Sequence, residues 1–490
     1  MSRSKELFLD HAATSPLHPD ALGVMLPYFG YHYGLPDSFS DLGARSKRAV
    51  DEARSRAAGL INAQPQEIIF TSGGTESNNL AILGTVYAKG SKGSHIITSS
   101  IEHSSVLNTC RRLEREGFHV TFVPVDSRGR VDPASVRKAV RSDTLLISIM
   151  HANHVTGVIQ PIEEISLIAR EKGIAFHVDA AQSAGKIPID VQELPIDLLT
   201  LSSHKLYGPK GMGALYIRNS AEIVPIFSGT GEEKGLRPGT ANIPGIVAFG
   251  MACHMAQRDL KSNRTMLTSL RDALEQQVTG RISGAVVHGK GSLRLPHILC
   301  VSFEGVTGDS LAANLNAMDI IVSSDSSLNE HGGNLSHVLE AMHVAPQDTC
   351  DAVRLSLGWE NKENDVRYTV SCMEKAVNRI REFSRVSEGT ELNVFTFPDR
   401  KTALTAIEIL KGNVFPFIPC PKPNDIVYAG HSPLALACMA AHHDAIGGIL
   451  GDSDIDIKGV SKLTPCCRTL ENKARVFWNK VDQINKEKNY

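Results

Sequence analysis

Two local patterns alternate along this chain. Short runs rich in β-branched residues, at 68–71, 95–98, 120–125, 145–149 and 175–178, alternate with helical periodicity at 76–89, 106–116 and 162–172. Strands that return to one sheet through helices of 10–15 residues lie parallel, so this order predicts an α/β architecture with a mainly parallel sheet. Such a sheet takes its ligand outside the carboxyl ends of its strands. A helical stretch at 245–277, a strand at 298–303 and helices at 309–318 and 333–342 predict a second, smaller α/β lobe. The polar segment 387–391 marks a boundary. Beyond it, strands are predicted at 393–397 and 414–418, a helix at 402–411, a long alanine-rich helix at 432–450 and a helical tail. The expected organisation is a large domain at 1–254, whose N-terminal segment joins the small lobe. The small lobe follows at 255–386, an appended unit at 392–467 and the tail at 468–490.

Composition narrows the function classes. The 51 basic and 53 acidic residues nearly cancel, which gives no reason to expect nucleic acid or an anionic membrane as partner. No apolar run reaches the ~18–20 residues that span a bilayer. The start, Met1 to Glu6, leads directly into an apolar strand pattern without a signal-peptide core. The nine cysteines are scattered and show no metal-binding spacing, as expected of reduced thiols in a cytoplasmic protein. A small-molecule substrate is the expectation.

Three segments carry chemistry. In Thr71-Ser72-Gly73-Gly74-Thr75-Glu76 a strand ends, two glycines turn the chain and a helix opens with hydroxyls in its first turn. Free N–H groups and the helix dipole suit a phosphate there, although alone the segment reads equally as a capped glycine turn. In His177-Val178-Asp179-Ala180-Ala181-Gln182 a carboxylate stands at a strand's carboxyl end, where it can hold a protonated ring nitrogen; alone it reads as a helix cap. In Ser202-Ser203-His204-Lys205-Leu206-Tyr207-Gly208-Pro209-Lys210-Gly211 a lysine sits among polar and cationic neighbours that lower an amine's pKa, as attack on a carbonyl requires. Most lysines lie on the surface, and Lys210 is the contrasting ordinary case. Together the three supply a phosphate cradle, an acid for a pyridinium nitrogen and a lysine for an aldehyde, the scheme of pyridoxal 5'-phosphate. His103, in Ser100-Ile101-Glu102-His103-Ser104-Ser105, adds a flat ring that can stack on the cofactor.

With these segments the chain resembles the class V aminotransferase fold group (fold type I of the pyridoxal phosphate transferases) and, within it, the cysteine desulfurases. The resemblance runs from about Leu7 to Phe383. It includes Phe8-Leu9-Asp10-His11-Ala12-Ala13-Thr14, Gly235-Leu236-Arg237-Pro238-Gly239-Thr240 and Val353-Arg354-Leu355-Ser356-Leu357-Gly358. It implies that Lys205 holds the cofactor's aldehyde, Asp179 its ring nitrogen and Gln182 its phenolic oxygen. His103 would stack on the ring and share in catalysis with Lys205. Gly74, Thr75, Ser202 and His204 would bind the phosphate. Thr240 would reach the phosphate of a second subunit, which implies a homodimer with shared sites. Arg354 would grip the α-carboxylate of an amino acid substrate, a task suited to a guanidinium.

The sequence departs from the pattern on the substrate side. Cysteine desulfurases carry a nucleophilic cysteine in a loop resembling Ser323 to Gly333, and here that position holds Leu328. His154 stands where the family usually has the second of two asparagines, and Leu35-Pro36 replaces an Asn-Pro. The segment 393–430 resembles small sulfur or selenium carrier proteins, whose usual cysteine is also missing. Cys420 is the nearest substitute as a relay thiol, although a free cysteine is more often a buried apolar filler. Three readings stay open. The first is removal of sulfur or selenium from L-cysteine or a relative through a thiol outside the loop, with a protein acceptor. The second is β-elimination giving pyruvate and sulfide. The third is a catalytically silent scaffold or relay partner.

Overall fold

Each β-branched run forms a strand, within a residue or two of its expected place. The computed structural model describes residues 6–90, 93–324, 336–344 and 352–386, and the backbone of four strands between 392 and 463. The N-terminal part contains β1 (Leu7–Phe8), β2 (Ile68–Thr71), β3 (His95–Ser99), β4 (His119–Val123), β5 (Thr144–Ser148), β6 (Ala175–Asp179), β7 (Leu198–Ser202) and β8 (Gly213–Ile217). Seven of these form one sheet in the order β2-β8-β7-β6-β5-β3-β4. The neighbours from β7 to β4 run parallel, whereas β8 is antiparallel to both β2 and β7. The sheet is thus mainly parallel, as expected. The reversal at β8 follows from its connection: the turn after β7 is too short for a helical crossover, and the chain returns as in a hairpin.

Helices cover both faces, so every residue of β6 and β7 is buried. This explains why these strands read as unbroken apolar runs rather than alternating ones. One face packs Phe70, Ile147, Phe176 and Tyr216 with Ala53, Ala57 and Phe249 from the helices Asp41–Leu60 and Ile243–Arg258. The other face packs Ile96 and Leu146 with Ile82, Val86, Val106 and Leu113 from the helices Gly74–Lys89 and Ser104–Arg115.

The small lobe is built on β9 (Ala285–Val287), β10 (Ile298–Phe303), β11 (Ile320–Ile321), β12 (Ser323–Ser324) and β13 (Ala352–Ser356). Four of these form an antiparallel sheet in the order β12-β13-β10-β9. Leu299, Val301, Val353 and Leu355 pack there against Leu270, Leu274, Val370 and Val377 from the helices Leu260–Arg281 and Glu363–Val386. The single helical stretch expected at 245–277 is two helices, because Asp259 leaves the helical conformation between them. The helix expected at 333–342 is seen at His337–Ala341, and residues 333–335 lie outside the described residues. The N-terminal segment belongs partly to this lobe. β1 pairs with β11, and Asp10 bridges to Ser356.

Beyond 386 the described strands are β14 (Leu392–Thr396), β15 (Ile418–Cys420), β16 (Ala435–Met439) and β17 (Gly459–Leu463), an antiparallel sheet in the order β15-β16-β14-β17. This corrects two expectations. The alanine-rich segment read as a helix at 432–450 contains β16. Pairing with β14 on one side and β15 on the other satisfies its backbone and overrides alanine's helix preference. The strand expected to end at 418 instead begins at Ile418, and 414–417 lie outside the described residues. So do the helix expected at 402–411 and the tail at 468–490.

Candidate active site

The residues singled out by chemistry arrive at one end of the large sheet because each follows the carboxyl end of a strand. β2 delivers the glycine turn, β3 delivers His103, β5 leads to His154, β6 ends on Asp179, and β7 delivers Ser202 to Lys205. β3, β5, β6 and β7 are parallel neighbours, and β2, across the antiparallel β8, points the same way, so these ends come together.

After β2 the backbone of Gly73 takes φ 154°, a value open to glycine and costly for other residues. The helix Gly74–Lys89 then begins, with no side chain capping it. A Cβ on Gly74 would stand 3.4 Å from Cβ of Ser202, an ordinary contact, which places this helix start beside the end of β7. Thr75 is exposed in the first turn. The glutamate that follows is tied away from the open N–H groups: Glu76 accepts from the Ser72 amide at 2.8 Å and pairs with Arg237 at 3.0 Å. Those bonds hold its carboxyl below the usual range despite the opposing effect of burial. Arg237 also brings the loop bearing Thr240 towards this helix. Thr240 itself is exposed and is not gathered with the other residues in the single chain.

Asp179 is 7% exposed and held on both oxygens. Oδ2 accepts from Asn78 Nδ2 at 2.7 Å, and Oδ1 accepts from the Ala181 amide at 2.9 Å. Asn78 Nδ2 also donates to Ser105 Oγ at 2.8 Å, and Ser105 Oγ lies 2.8 Å from Nδ1 of His103. The Ser105 amide donates to the same nitrogen, so Nδ1 is an acceptor and the His103 ring is fixed at the start of its helix. A continuous chain of hydrogen bonds thus joins His103 to Asp179. Asn78 and Ser105 were not assigned roles from sequence. Their signal is a buried polar side chain near the start of a helix whose buried face is mostly apolar.

Lys205 lies on the short turn after β7. Its Nζ donates to the carbonyls of Ala12 and Ala13, each at 2.7 Å. Gln182 Nε2 reaches the same Ala12 carbonyl at 2.9 Å, which brings Gln182 and Lys205 together on the segment 12–14. His204 is anchored by Nδ1 to Thr14 Oγ1 at 3.1 Å. Burial, with Lys205 and Lys210 nearby, pushes the His204 imidazole down to about 4, so it is neutral near pH 7.

The small lobe adds Arg354 from β13, 2% exposed. Nη2 donates to Asp10 Oδ1 at 2.8 Å and to Ser323 Oγ at 3.1 Å, and Nη1 donates to the His154 carbonyl at 2.9 Å. Asp10 is therefore part of the site, although sequence reading gave it no role. His154 completes the wall. Its ring meets His103 edge to face with centroids 5.5 Å apart and lies 6.3 Å from the ring of His337. His337, which sequence reading also passed over, approaches the Glu102 carbonyl at 2.9 Å through Nε2. The Nδ1 of His154 is buried without a hydrogen-bond partner. Burial, then His103, His337, Arg354 and Lys205, hold its pKa well below the ordinary value.

No described cysteine lines this site as an accessible thiol. Cys110, Cys253, Cys300 and Cys372 are all buried and unbridged, and burial pushes the Cys110 thiol up to about 12. Leu328 lies outside the described residues. Cys420 is placed by its backbone alone, opposite Ala435 at the end of β15. Among the described residues no group of acidic, histidine and cysteine side chains could hold a metal ion, and no helix is long and apolar enough to cross a membrane.

Residues 7–368 match the family model described as aminotransferase class-V. The chain is 42% identical to the cysteine desulfurase IscS of Dictyoglomus turgidum over 389 residues, covering 79% of this chain and 99% of that protein. It is 45% identical to the cysteine desulfurase IscS of Methanosarcina thermophila over 384 residues, covering 78% and 95%. Among solved structures it resembles a NifS-like protein with a TM-score of 0.72 and 35% identity, covering 76% of this chain and 99% of the other.

Proposed function

Because this chain belongs to the aminotransferase class-V family, we propose that it is a pyridoxal 5'-phosphate enzyme of cysteine desulfurase type. It removes sulfur, or selenium, from L-cysteine or a close relative through a thiol outside the usual loop. The observation that carries the reading is the gathering of Lys205, the Asp179–Asn78–Ser105–His103 chain and an open helix N-terminus at one end of the sheet, facing Arg354 from the other lobe. The residues fit the cofactor: Asn78 Oδ1, beside Asp179, is buried without a partner, and the glycine turn leaves room at the helix start.

When bound, pyridoxal phosphate supplies an aldehyde that takes the substrate's amine and a ring that accepts the electron pair released at Cα. The chain's own groups do the rest. The N–H groups at Gly74 and Thr75, with Ser202 and His204, hold the phosphate, aided by the helix dipole. Asp179, fixed from both sides, would keep a proton on the ring nitrogen, Gln182 would meet the phenolic oxygen and His103 would cover one face of the ring. Lys205, once it leaves the Ala12 and Ala13 carbonyls, moves the proton at Cα. Arg354 takes the substrate carboxylate in competition with Asp10, which keeps the guanidinium in position until substrate arrives. His154, held neutral, adds a hydrogen-bonding wall without adding charge.

Thr240 serves the phosphate of a second copy, so the working unit is a homodimer in the cytoplasm. The exposed aromatic residues Phe29, Tyr31, Tyr33 and Phe39 support a further contact surface on the N-terminal segment. The appended unit from 392 to 467, carrier-like in sequence, supplies the relay thiol, Cys420, and passes sulfur to an acceptor protein. One observation favours a second reading. The described thiols are sealed and the loop position holds Leu328, so the same site could instead eliminate sulfide and leave pyruvate.

Two substitutions test the assignment. Lys205→Ala is expected to abolish the visible absorbance of bound pyridoxal phosphate, and retention of that band would sink it. Cys420→Ser is expected to keep the band and lose sulfur release; intact release would remove Cys420 from the mechanism.

A further inference from the structure

Tyr207, two residues after Lys205, holds a left-handed backbone conformation with φ 64°. For a bulky residue this is a genuine outlier, and such outliers persist only where surrounding contacts over-determine them. Here the contacts come from three segments. From the N-terminal segment, Ser15 Oγ accepts the Tyr207 amide at 2.7 Å and the His18 amide donates to the Tyr207 carbonyl at 3.0 Å. His11 Nδ1 lies 3.3 Å from the phenol oxygen. From the small lobe, the Trp359 amide donates to that same oxygen at 3.1 Å. From the large domain, Lys186 Nζ sits 5.0 Å from the ring centroid, within cation–π range.

The small-lobe contact matters because of where Trp359 sits. β13 carries Arg354 and ends at Ser356, and three residues later the chain meets the tyrosine. Gly358 makes the approach possible: a Cβ there would stand 2.2 Å from His11 Cε1 and 2.6 Å from the Tyr207 hydroxyl. The phenol therefore connects the turn that bears Lys205 with the end of the strand that bears Arg354. The rings of Tyr207 and Trp359, 6.1 Å apart, lie edge to face beside it.

We propose that Tyr207 is a positioning residue that sets the distance between Lys205 and Arg354, and hence the fit of an amino acid between the two lobes. The proposal rests on the reading of Lys205 and Arg354 given above. It makes Tyr207 a determinant of substrate binding rather than of cofactor retention. Replacing the phenol by phenyl removes the Trp359 and His11 contacts and leaves the ring and the backbone turn in place. Loss of about one net hydrogen bond corresponds to a change of about three- to tenfold.

The test compares full-length wild type, Tyr207→Phe and Gly358→Ala, each loaded with pyridoxal phosphate. L-alanine and L-cysteine are titrated against the visible absorbance of the bound cofactor, with thermal melting as the control for folding. Tyr207→Phe is expected to melt close to wild type, keep the cofactor band and bind both amino acids about three- to tenfold more weakly. KM for L-cysteine should rise more than kcat falls. Gly358→Ala should weaken amino acid binding further. Unchanged amino acid binding in Tyr207→Phe would overturn the proposal. Loss of the cofactor band with melting intact would also overturn it, since the tyrosine would then serve the cofactor. A wild-type protein that shows no cofactor band overturns the underlying assignment of Lys205, a failure distinct from either of these.

Discussion

At the scale of single residues, the buried acid beside His103 gives the sharpest pH expectation. Glu102 accepts from Ser99 Oγ at 2.5 Å and from the Met150 amide at 2.9 Å, and its second oxygen is buried without a partner. Burial outweighs both bonds and pushes its carboxyl up to about 8, so the group is protonated in the folded protein near pH 7. A carboxyl whose folded pKa is raised stabilises the fold fully below its unfolded pKa, and that contribution is lost as pH rises through the folded value. Stability should therefore fall between about pH 4.5 and pH 8, by at most about 1.4 kcal/mol per pH unit from this group. Glu102→Gln should remove the dependence. Its melting temperature, compared with wild type, should gain steadily from pH 5 to pH 8, and a constant difference across that range would refute this reading. Lys205, Asp179 and Arg354 were singled out in sequence because they sit in distinctive segments. Asn78, Ser105, Asp10 and His337 were not, since they act through contacts with residues distant in sequence.

At the scale of elements, the alternation of strand and helix was read closely, because β-branched runs and 3.6-residue periodicity are local signals. What escaped was set by partners. β8 reverses direction because its connection is short, and its glycine shows how closely the elements meet. A Cβ on Gly213 would stand 2.7 Å from Gly73 Cα and 2.7 Å from the Leu201 carbonyl, both backbone atoms that cannot rotate away. Gly213→Ala should cost about 1–3 kcal/mol in denaturant unfolding and weaken cofactor binding by displacing the glycine turn. Gly59→Ala is the matched control. Its new methyl would meet only the end of the Gln257 side chain, at 3.3 Å, and stability should change little. Equal effects at both positions would contradict this packing account. The strand β16 escaped for a related reason. Ala435 to Met439 carries no strong local strand signal, and its conformation is fixed by pairing on both edges.

At the scale of the whole molecule, two lobes share one site, and the N-terminal segment binds them together. Residues 7–10 pair with strands of the small lobe, while Ala12 and Ala13 receive Lys205 from the large one. The sequence reading joined the N-terminal segment to the small lobe but named no residue that ties it to either one. The chain has the residues proposed to hold pyridoxal phosphate, while by resemblance Leu328 falls where the family carries its nucleophile, and the described cysteines are buried. The proposed function requires that sulfur leave by transfer to a thiol. Its most direct test is to incubate the holoenzyme with L-cysteine and a reductant and to assay sulfide, alanine and pyruvate together. Sulfide and alanine in equal amounts, absent in Lys205→Ala, are the expected result. Pyruvate in place of alanine, or no consumption of cysteine at all, would contradict it.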